Sequence, residues 1–301
     1  MTRKVLVTGA SGLLGRAVMA TFLSASWDVL GLGFSRAGEK LKKVDLRDSE
    51  AIRSVIREFQ PDVVIHAAAE RRTDVVERNP EDVKQLNVAA TAVIAQECAS
   101  RGIMLVYIST NYVFDGKKAP YRTSDEPNPL NKYGQSKRDG EIATLTNYPG
   151  GAILRLPLLY GPVERLNESS ATFILSQITD TSKVVEMCNY QQRRPTHVND
   201  VAQVLLQMAE KYSQGHEVKG IFHWNTSEQL TRYQMATIIT DVFQLPSHHI
   251  TANTSAPAAG TPRPANAAMD VSSVTSLGVK VSDTLFRVGI KGSLESFVNQ
   301  R

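Results

Sequence analysis

Tyr133 and Lys137 are the side chains of this sequence whose types and spacing suggest chemistry most directly. Residues four apart lie on one face of a helix, so the ammonium group would stand near the phenol and lower its pKa. Such a phenol could donate a proton to a carbonyl group as a hydride arrives from a cofactor. Thr110, at the predicted end of a strand, would be a hydrogen-bonding partner in this reaction. Because such pairs are common on ordinary helices, this pair indicates a catalytic site only in combination with other motifs.

A glycine-rich turn near the start of the chain is the strongest of those motifs. Gly9, Gly12 and Gly15 follow the apolar run of residues 5–7 and precede a segment with helical periodicity. Gly9 would permit a tight turn, Gly12 a close approach of backbone N–H groups to a pyrophosphate, and Gly15 close packing of helix on strand. The free N–H groups at the helix N-terminus then form an anion site. A turn that binds nothing is the alternative, and the flanking strand and helix favour a dinucleotide.

Composition and charge exclude several classes of protein. The chain has 301 residues, 42% of them hydrophobic, and contains no run of about 20 apolar residues that could span a membrane. Its net charge of +4 is scattered, so no nucleic acid partner is expected. No signal-peptide pattern precedes the glycine turn, so we expect a cytoplasmic protein and leave a nuclear location open.

The cysteines and histidines do not suggest a metal site. Cys98 and Cys188 lie in different predicted elements, so we expect buried free thiols rather than a disulfide or zinc ligands. His248 and His249 lie in a Pro/Ser-rich stretch, where solvated loop histidines are expected.

Alternating strand and helix signals predict an α/β fold with a doubly wound parallel sheet of the Rossmann type. The predicted strands after the glycine turn are residues 27–34, 62–69 and 103–109, and the predicted helices are residues 50–59 and 81–101. Ligands of such sheets bind at the carboxyl ends of the strands, so the functional groups are expected there.

The pattern becomes less regular in the second half of the chain. Residues 1–160 are predicted to form the dinucleotide-binding domain, to which later segments return, and residues 161–301 a smaller C-terminal substrate-side domain. Asn199 or Asp200 is expected to cap a helix, and His197 to be structural. Residues 220–225 are predicted as a strand, 231–243 as a helix and 247–266 as a loop.

The residues after the second strand favour NADP over NAD. An NAD-binding fold places an acid here for the ribose 2′-hydroxyl, whereas this chain has Phe34, Ser35 and Arg36. Lys40, Lys42 and Lys43 follow closely. The lysines could instead be a solvated basic loop, in which case Arg36 alone would meet the 2′-phosphate.

Four features resemble the dTDP-4-dehydrorhamnose reductase family of extended short-chain dehydrogenases. They are the glycine turn, the run Ser-Thr-Asn-Tyr-Val-Phe-Asp-Gly at residues 109–116, the Tyr-x-x-x-Lys pair, and Arg263-Pro264-x-Asn266. Four further segments resemble the regulatory β subunits of methionine adenosyltransferase within this family; they are residues 69–77, 191–198, 222–224 and 286–291. The resemblance covers nearly the whole chain, and it implies an extended Rossmann fold that binds NADP.

The glycine turn, the strand ends and the resemblance together predict the site residues. The catalytic set is Thr110, Tyr133 and Lys137, which a regulatory relative could retain without using. The predicted cofactor-binding residues are Thr8, Gly9, Ser11, Gly12, Leu13, Leu14, Gly15, Phe34, Ser35, Arg36, Asp45, Leu46, Ala67, Ala68, Ala69, Asn87, Tyr133, Lys137 and Arg155.

Two functions follow from the resemblance. The first is a non-catalytic, NADP-binding regulatory subunit that associates with the catalytic subunit of methionine adenosyltransferase and modulates S-adenosylmethionine synthesis. The second is an NADPH-dependent dTDP-4-dehydrorhamnose reductase. Asn111 replaces an acid usual in the reductases, and Pro157-Leu158 stands where they often carry Ser-Trp, so the first is favoured. The chain ends at Arg301, before the tail usual among the β subunits, so the mode of association is left open.

Overall fold

The computed structural model describes residues 2–34, 38–258 and 260–299, and a seven-stranded parallel sheet lies at its centre. The strands of the described chain are β1 (Lys4–Thr8), β2 (Asp28–Gly33), β3 (Leu41–Lys43), β4 (Val63–His66), β5 (Met104–Thr110), β6 (Ala152–Leu156), β7 (Leu159–Tyr160), β8 (Val185–Cys188), β9 (Thr196–His197), β10 (Gly220–His223) and β11 (Ile250–Asn253).

Helices cover both faces of the sheet and continue through the second half of the chain. They are α1 (Leu13–Ser24), α2 (Ser49–Phe59), α3 (Thr73–Arg78), α4 (Pro80–Lys84), α5 (Ala90–Arg101), α6 (Lys132–Asn147), α7 (Ile174–Ile178), α8 (Val198–Ser213), α9 (Arg232–Phe243), α10 (Ser272–Thr275) and α11 (Phe286–Val298). A π-helical turn, Gln85–Ala89, joins α4 to α5.

The order of strands confirms the predicted doubly wound sheet. Across the sheet the order is β10-β6-β5-β4-β1-β2-β3. The chain proceeds from β1 to β3 in one direction and then returns to the other side of β1 with β4. This change of direction opens a crevice at the carboxyl ends of β1 and β4, which is where such folds bind ligands.

The alternation of side chains along β1 explains the two-layered core. Val5 and Val7 pack into an apolar cluster with residues of α1 and α8, whereas Leu6 packs into a second cluster with residues of α2 and α5. All three side chains are buried because successive residues of a strand face opposite sides of the sheet and helices cover both.

The second half of the chain contributes to the sheet and also has its own core. α8 packs against α1, and β10 pairs with β6 so that Ile221 lies opposite Ile153. A separate apolar cluster joins residues of α7, α9 and α11. Chain beyond residue 160 therefore adds a strand to the sheet, while the predicted division of the chain into domains at residue 160 stays a prediction.

The stretch predicted as a loop over residues 247–266 contains a strand. β11 pairs in parallel with β8, and Ile250 lies opposite Val185. His249 is buried next to this strand, and its Nε2 lies 2.9 Å from the carbonyl oxygen of Ile178. The expectation that His249 is solvated was wrong, because the pairing of two short strands encloses it.

The predicted helix cap at Asn199 or Asp200 was also wrong. α8 begins at Val198, and Nδ1 of His197 accepts the backbone N–H of Asn199 at 3.3 Å. Asp200 instead accepts the backbone N–H and the hydroxyl of Thr284, at 2.9 and 2.8 Å. His197 is thus the structural residue expected from the sequence, with a capping role.

Several smaller features concern metals, thiols and membranes. Cys98 is buried as expected, whereas Cys188 is partly exposed, and both thiols are free. In the part of the chain that the structure describes, no group of three His, Cys, Asp or Glu side chains could hold a metal ion. Within those same residues, no helix is long and apolar enough to cross a membrane.

Candidate active site

A cleft of about 860 Å³ lies at the carboxyl ends of β1, β2, β4 and β5. Most residues predicted from the sequence line it. These are Gly9, Ser11, Gly12, Leu13, Leu14, Gly15, Phe34, Leu46, Ala67, Ala68, Ala69, Thr110, Tyr133 and Lys137. The strand ends are far apart in the sequence, and the fold brings them together around one cavity.

The three glycines of the first turn have different surroundings. Gly9 has a φ of +67°, and a Cβ atom here would stand 2.8 Å from the backbone nitrogen of Ala68. A Cβ on Gly15 would overlap the carbonyl oxygen of Gly9, so Gly15 permits α1 to pack on the turn. A Cβ on Gly12 would meet only the carbonyl oxygen of Gly9, at 3.2 Å, and would otherwise enter the cleft. The space beside Gly12, at the N-terminus of α1, suits an anionic group.

A chain of hydrogen bonds beneath the cleft fixes the loop after β4. The N–H of Ala68 donates to Oγ1 of Thr8 at 3.1 Å, and this oxygen lies 2.7 Å from Nδ1 of His66. Nε2 of His66 lies 2.9 Å from Oγ1 of Thr91, which donates to the carbonyl of Asn87. These partners assign the ring proton to Nε2, because Thr91 uses its own proton on Asn87. Burial lowers the pKa of His66 to about 3, so the ring is neutral.

Thr8 and Asn87 support the cleft without lining it. Oδ1 of Asn87 accepts the backbone N–H of Glu70 at 2.9 Å, and its Nδ2 donates to Oγ of Ser136 at 3.1 Å. Ser136 lies on α6 beside Lys137, so Asn87 ties the loop after β4 to the helix of the Tyr/Lys pair. Both residues are buried behind the cleft and position its walls, and the direct cofactor contacts predicted for them stay predictions.

Tyr133 and Lys137 both face the cleft from α6. Asn131 caps this helix by accepting the backbone N–H of Gly134 at 2.9 Å. Burial raises the pKa of Tyr133 to about 12, and a hydrogen bond with Thr110 acts in the opposite direction. Burial lowers the pKa of Lys137 to about 7, while the charge of Glu141 opposes this effect.

The expected lowering of the Tyr133 pKa by Lys137 was wrong for this arrangement. Nζ of Lys137 lies 4.0 Å from the centroid of the Tyr107 ring and makes a cation–π contact with it. The cation that acts on the phenol is Arg71 instead, although burial outweighs its charge. Residues four apart share a helix face, but here the Lys137 side chain is directed at the ring of Tyr107, which lies under the helix.

Arg155 lies behind the cleft rather than on its wall, and its predicted cofactor contact stays a prediction. Its side chain is 1% exposed, and it donates from Nε and Nη2 to the two carboxylate oxygens of Glu141, at 2.8 and 2.7 Å. The hydroxyl of Ser109 donates to the same carboxylate at 2.5 Å. A buried guanidinium requires a partner, and Glu141 of α6 lies directly behind the sheet end.

The end of the cleft that follows β2 and β3, where the adenosine was predicted, differs in part from the expected arrangement. Leu46 and Phe34 line it, whereas the Asp45 carboxylate turns to Arg47. Ser35 and Arg36 lie outside the described residues. The lysine-rich stretch predicted as a loop contains the edge strand β3.

Three arginines at the opposite end were missed. Arg193, Arg232 and Arg263 line the cleft, and none of them has an ion pair within the described part of the chain. Burial lowers the pKa of Arg232, and the like charges of Arg263 and Arg193 lower it further. Asn111, Pro157 and Leu158 line the cleft as well. The motifs at residues 191–198 and 263–266 contain Arg193 and Arg263, so the basic residues of these motifs were the signal that could have pointed to these two.

Comparison with known proteins identifies the family. The RmlD substrate binding domain family matches residues 3–298. Methionine adenosyltransferase 2 subunit beta of Bos taurus is 50% identical over 296 residues, which cover 98% of this chain and 88% of that protein. The chain belongs to this β-subunit family. A dTDP-4-dehydrorhamnose reductase of Aggregatibacter actinomycetemcomitans is 31% identical over 290 residues, covering 93% and 95% of the two chains.

Solved structures show the same fold. A hypothetical dTDP-4-dehydrorhamnose reductase from Sulfolobus tokodaii aligns with a TM-score of 0.82 and 27% identity, covering 95% of this chain and 98% of its own. The dTDP-4-dehydrorhamnose reductase of Bacillus anthracis, solved in complex with NADP, aligns with a TM-score of 0.83 and 21% identity, covering 98% and 100%. The predicted membership of the β-subunit family within the wider reductase family is confirmed.

Proposed function

We propose that this chain is an NADP-binding, non-catalytic regulatory subunit that associates with the catalytic subunit of methionine adenosyltransferase and modulates S-adenosylmethionine synthesis. The observation that carries this proposal is the 50% identity with a β subunit along nearly the whole chain, against 31% with a reductase. Both comparisons cover the cleft and the second half alike, so the difference is not confined to one motif.

The geometry of the cleft supports the cofactor part of the proposal. The open space beside Gly12 and the N-terminus of α1 would hold the pyrophosphate, and Ala67–Ala69 leave room for a dinucleotide to pass the end of β4. Phe34 and Leu46 would contact the adenosine, and Tyr133 and Lys137 the nicotinamide ribose. A bound nicotinamide would supply or accept hydride, and Tyr133 and Lys137 would bind and orient it. The Bacillus anthracis reductase, which has the same fold, was solved in complex with NADP, and this supports a dinucleotide site in the present chain.

The state of the proton donor supports a non-catalytic role. A phenol with a pKa near 12 is a weak acid, and proton transfer is efficient when the pKa of the donor lies near the working pH. Lys137 makes a cation–π contact with the ring of Tyr107 and is not among the charges that lower the pKa of the phenol. Pro157 and Leu158 also present no aromatic surface to a sugar.

A reductase of dTDP-4-dehydrorhamnose is the second candidate, and two observations favour it. Thr110, Tyr133 and Lys137 lie in one cleft, which is the arrangement that carbonyl reduction would use. Beyond them lie the arginines without carboxylate partners, and guanidinium groups bind phosphates well.

Two assays on the same preparation separate the candidates. The chain is mixed with the methionine adenosyltransferase catalytic subunit of its host, complex formation is followed by sedimentation velocity, and S-adenosylmethionine synthesis is measured with and without NADP. In parallel, NADPH oxidation is followed with dTDP-4-dehydrorhamnose, with Tyr133→Phe as the matched variant. We expect a complex with altered synthesis kinetics and slow or absent NADPH oxidation.

The opposite pattern would reject the regulatory proposal. Brisk NADPH oxidation that is lost in Tyr133→Phe, together with no complex at micromolar concentrations, would establish the reductase instead.

A further inference from the structure

The adenosine end of the cleft is formed by residues that follow β2 and β3. Phe34 directly follows β2, and its side chain is 62% exposed. The guanidinium carbon of Arg47 lies 5.4 Å from the centroid of its ring. Both side chains line the cleft. Because the end of β2 is where this fold meets the ribose 2′ position, Arg47 is within reach of a group attached there.

Asp45 holds the Arg47 side chain in a defined direction. Its Oδ1 accepts the backbone N–H and Nε–H of Arg47, both at 3.0 Å, and its Oδ2 accepts from Nη2 at 2.7 Å. This pairing uses one edge of the guanidinium and does not involve Nη1. A guanidinium has five N–H donors, so its second edge remains able to bind an anion.

Two lysines of this region, Lys40 and Lys42, are directed elsewhere. Nζ of Lys40 lies 3.7 Å from the carboxylate of Asp28, and Nζ of Lys42 lies 3.0 Å from that of Glu58. Neither lysine lines the cleft, in contrast to Arg47. Within the described residues between β2 and α2, Arg47 is the one basic side chain on the cleft wall.

We propose that Arg47 is a specificity-determining residue, whose second guanidinium edge binds the 2′-phosphate of NADP while Asp45 and Phe34 hold the side chain in place. This inference rests on the proposed cofactor site and adds Arg47 to Arg36, the residue predicted from the sequence, as a residue that selects between the two dinucleotides. The adenosine of NAD has a hydroxyl at this position, which gains no charge-assisted hydrogen bond from the guanidinium. Asp45 offsets part of the positive charge, so the selectivity from this residue is moderate.

Titration calorimetry of Arg47→Leu with four ligands tests the assignment. The ligands are NADP, NAD, adenosine 2′,5′-bisphosphate and ADP. We expect the dissociation constants of NADP and of the 2′,5′-bisphosphate to rise about tenfold, as for loss of one charge-assisted hydrogen bond, and those of NAD and ADP to change less than about twofold. Arg47→Lys should retain part of the selectivity, since it keeps the charge and loses the planar edge.

Lys42→Met is the matched control, because it removes one positive charge from the same region without touching the cleft. It should leave all four affinities unchanged. Both variants are expected to fold, because exposed ion pairs contribute little to stability, and circular dichroism checks this.

Two results would overturn the assignment. Equal weakening of all four ligands by Arg47→Leu would mean that Arg47 contacts the adenine or the shared phosphates. Unchanged NADP binding would place the 2′-phosphate on another residue. A wild-type protein that binds neither dinucleotide would reject the proposed cofactor site itself, and this result is recognised before any variant is made.

Discussion

At the scale of single residues, the cleft depends on neutral groups that are buried and fully paired. Hydrogen bonds with Thr8 and Thr91 determine which ring nitrogen of His66 carries the proton. Asn87 accepts a hydrogen bond from the backbone N–H of Glu70. These groups touch no part of the cleft surface, yet they determine where the loop after β4 lies. Protonation of His66 would therefore affect the cleft indirectly, because it would destabilise the loop after β4.

The free energy of unfolding should decrease as the pH is lowered from 6.5 to 5, because two histidines are buried in the neutral form. Burial lowers the pKa of His66 to about 3, and burial together with the charge of Arg155 lowers that of His223 to about 4. As the pH falls below about 6.5, the unfolded chain binds these protons and the folded protein does not, so the stability present above this pH is progressively lost. Each histidine contributes up to about 1.4 kcal/mol per pH unit.

Urea unfolding at several pH values measures this effect. His66→Gln should show a shallower fall in unfolding free energy over this range than the wild-type protein. Parallel profiles for the two proteins would contradict the assignment to His66.

Gly12→Val should abolish dinucleotide binding and leave the fold intact. The φ of Gly12 is −82°, which any residue can adopt, and the new side chain would meet only the Gly9 carbonyl before it enters the space for the pyrophosphate. Gly15→Ala is the contrasting variant, because its Cβ would overlap the turn itself. Calorimetry and thermal unfolding should show lost binding with a normal melting temperature for Gly12→Val, and a lowered melting temperature for Gly15→Ala. A folded Gly12→Val protein that still binds NADP would refute the placement of the pyrophosphate.

At the scale of elements, a segment after β7 crosses the cleft and is tied to both of its walls. We call residues 162–170 the strap. Nη2 of Arg16 on α1 lies 2.5 Å from the Glu168 carboxylate, and Nη1 donates to the carbonyl of Ser11 in the glycine turn at 2.8 Å. Nη2 of Arg71 donates to the backbone carbonyl of Glu168 at 2.5 Å. The strap therefore connects the second half of the chain directly to the predicted pyrophosphate site.

Glu168→Gln should accelerate release of the dinucleotide. The substitution keeps the size of the side chain and removes the charge from a partly buried ion pair, which weakens the closed position of the strap by about 1 kcal/mol. We expect a dissociation rate about fivefold higher, measured by stopped-flow displacement. Glu126→Gln removes a carboxylate that pairs with Arg138 on the surface and should leave the rate unchanged. Equal rates for Glu168→Gln and wild type would show that the strap does not hold the ligand.

At the scale of the whole molecule, the sheet is completed by chain that follows residue 160. α8 covers the face of α1, and β10 extends the sheet beyond β6. Phe222 and Trp224 lie in the same apolar cluster as Val5 and Val7 of the first strand. The apolar core around β1 is thus shared between the two halves of the sequence.

A fragment of residues 1–160 should therefore fail to fold cooperatively. Without α8 and β10, one face of α1 and one edge of β6 would be left uncovered, and the loss of buried apolar area would exceed the small net stability of a domain. Circular dichroism during urea unfolding should show a broad or absent transition for the fragment and a sharp one for the whole chain. A sharp transition of the fragment would show that the predicted domain folds alone.

The sequence alone was sufficient to predict the glycine turn, the alternation of strands and helices from β1 to β5, and the carboxyl ends at which the cleft opens. Each of these depends on residues close together in the chain, such as the alternation of Val5, Leu6 and Val7 or the spacing of Gly9 and Gly12. Family membership was also readable, because motifs of several residues carry it.

Only the tertiary structure shows which charged side chains face the cleft and which form ion pairs elsewhere in the protein. Arg155, like Thr110, lies near the carboxyl end of a strand. Its guanidinium nevertheless pairs with Glu141 of α6 inside the core. The pKa of Tyr133 likewise depends on burial, which a spacing of four residues does not report. Arg47 reaches the cleft wall because Asp45 and Phe34 direct it there. Local patterns specify elements, whereas ion pairing and desolvation arise between segments that are distant in the chain, so they appear only when the packed structure brings those segments together.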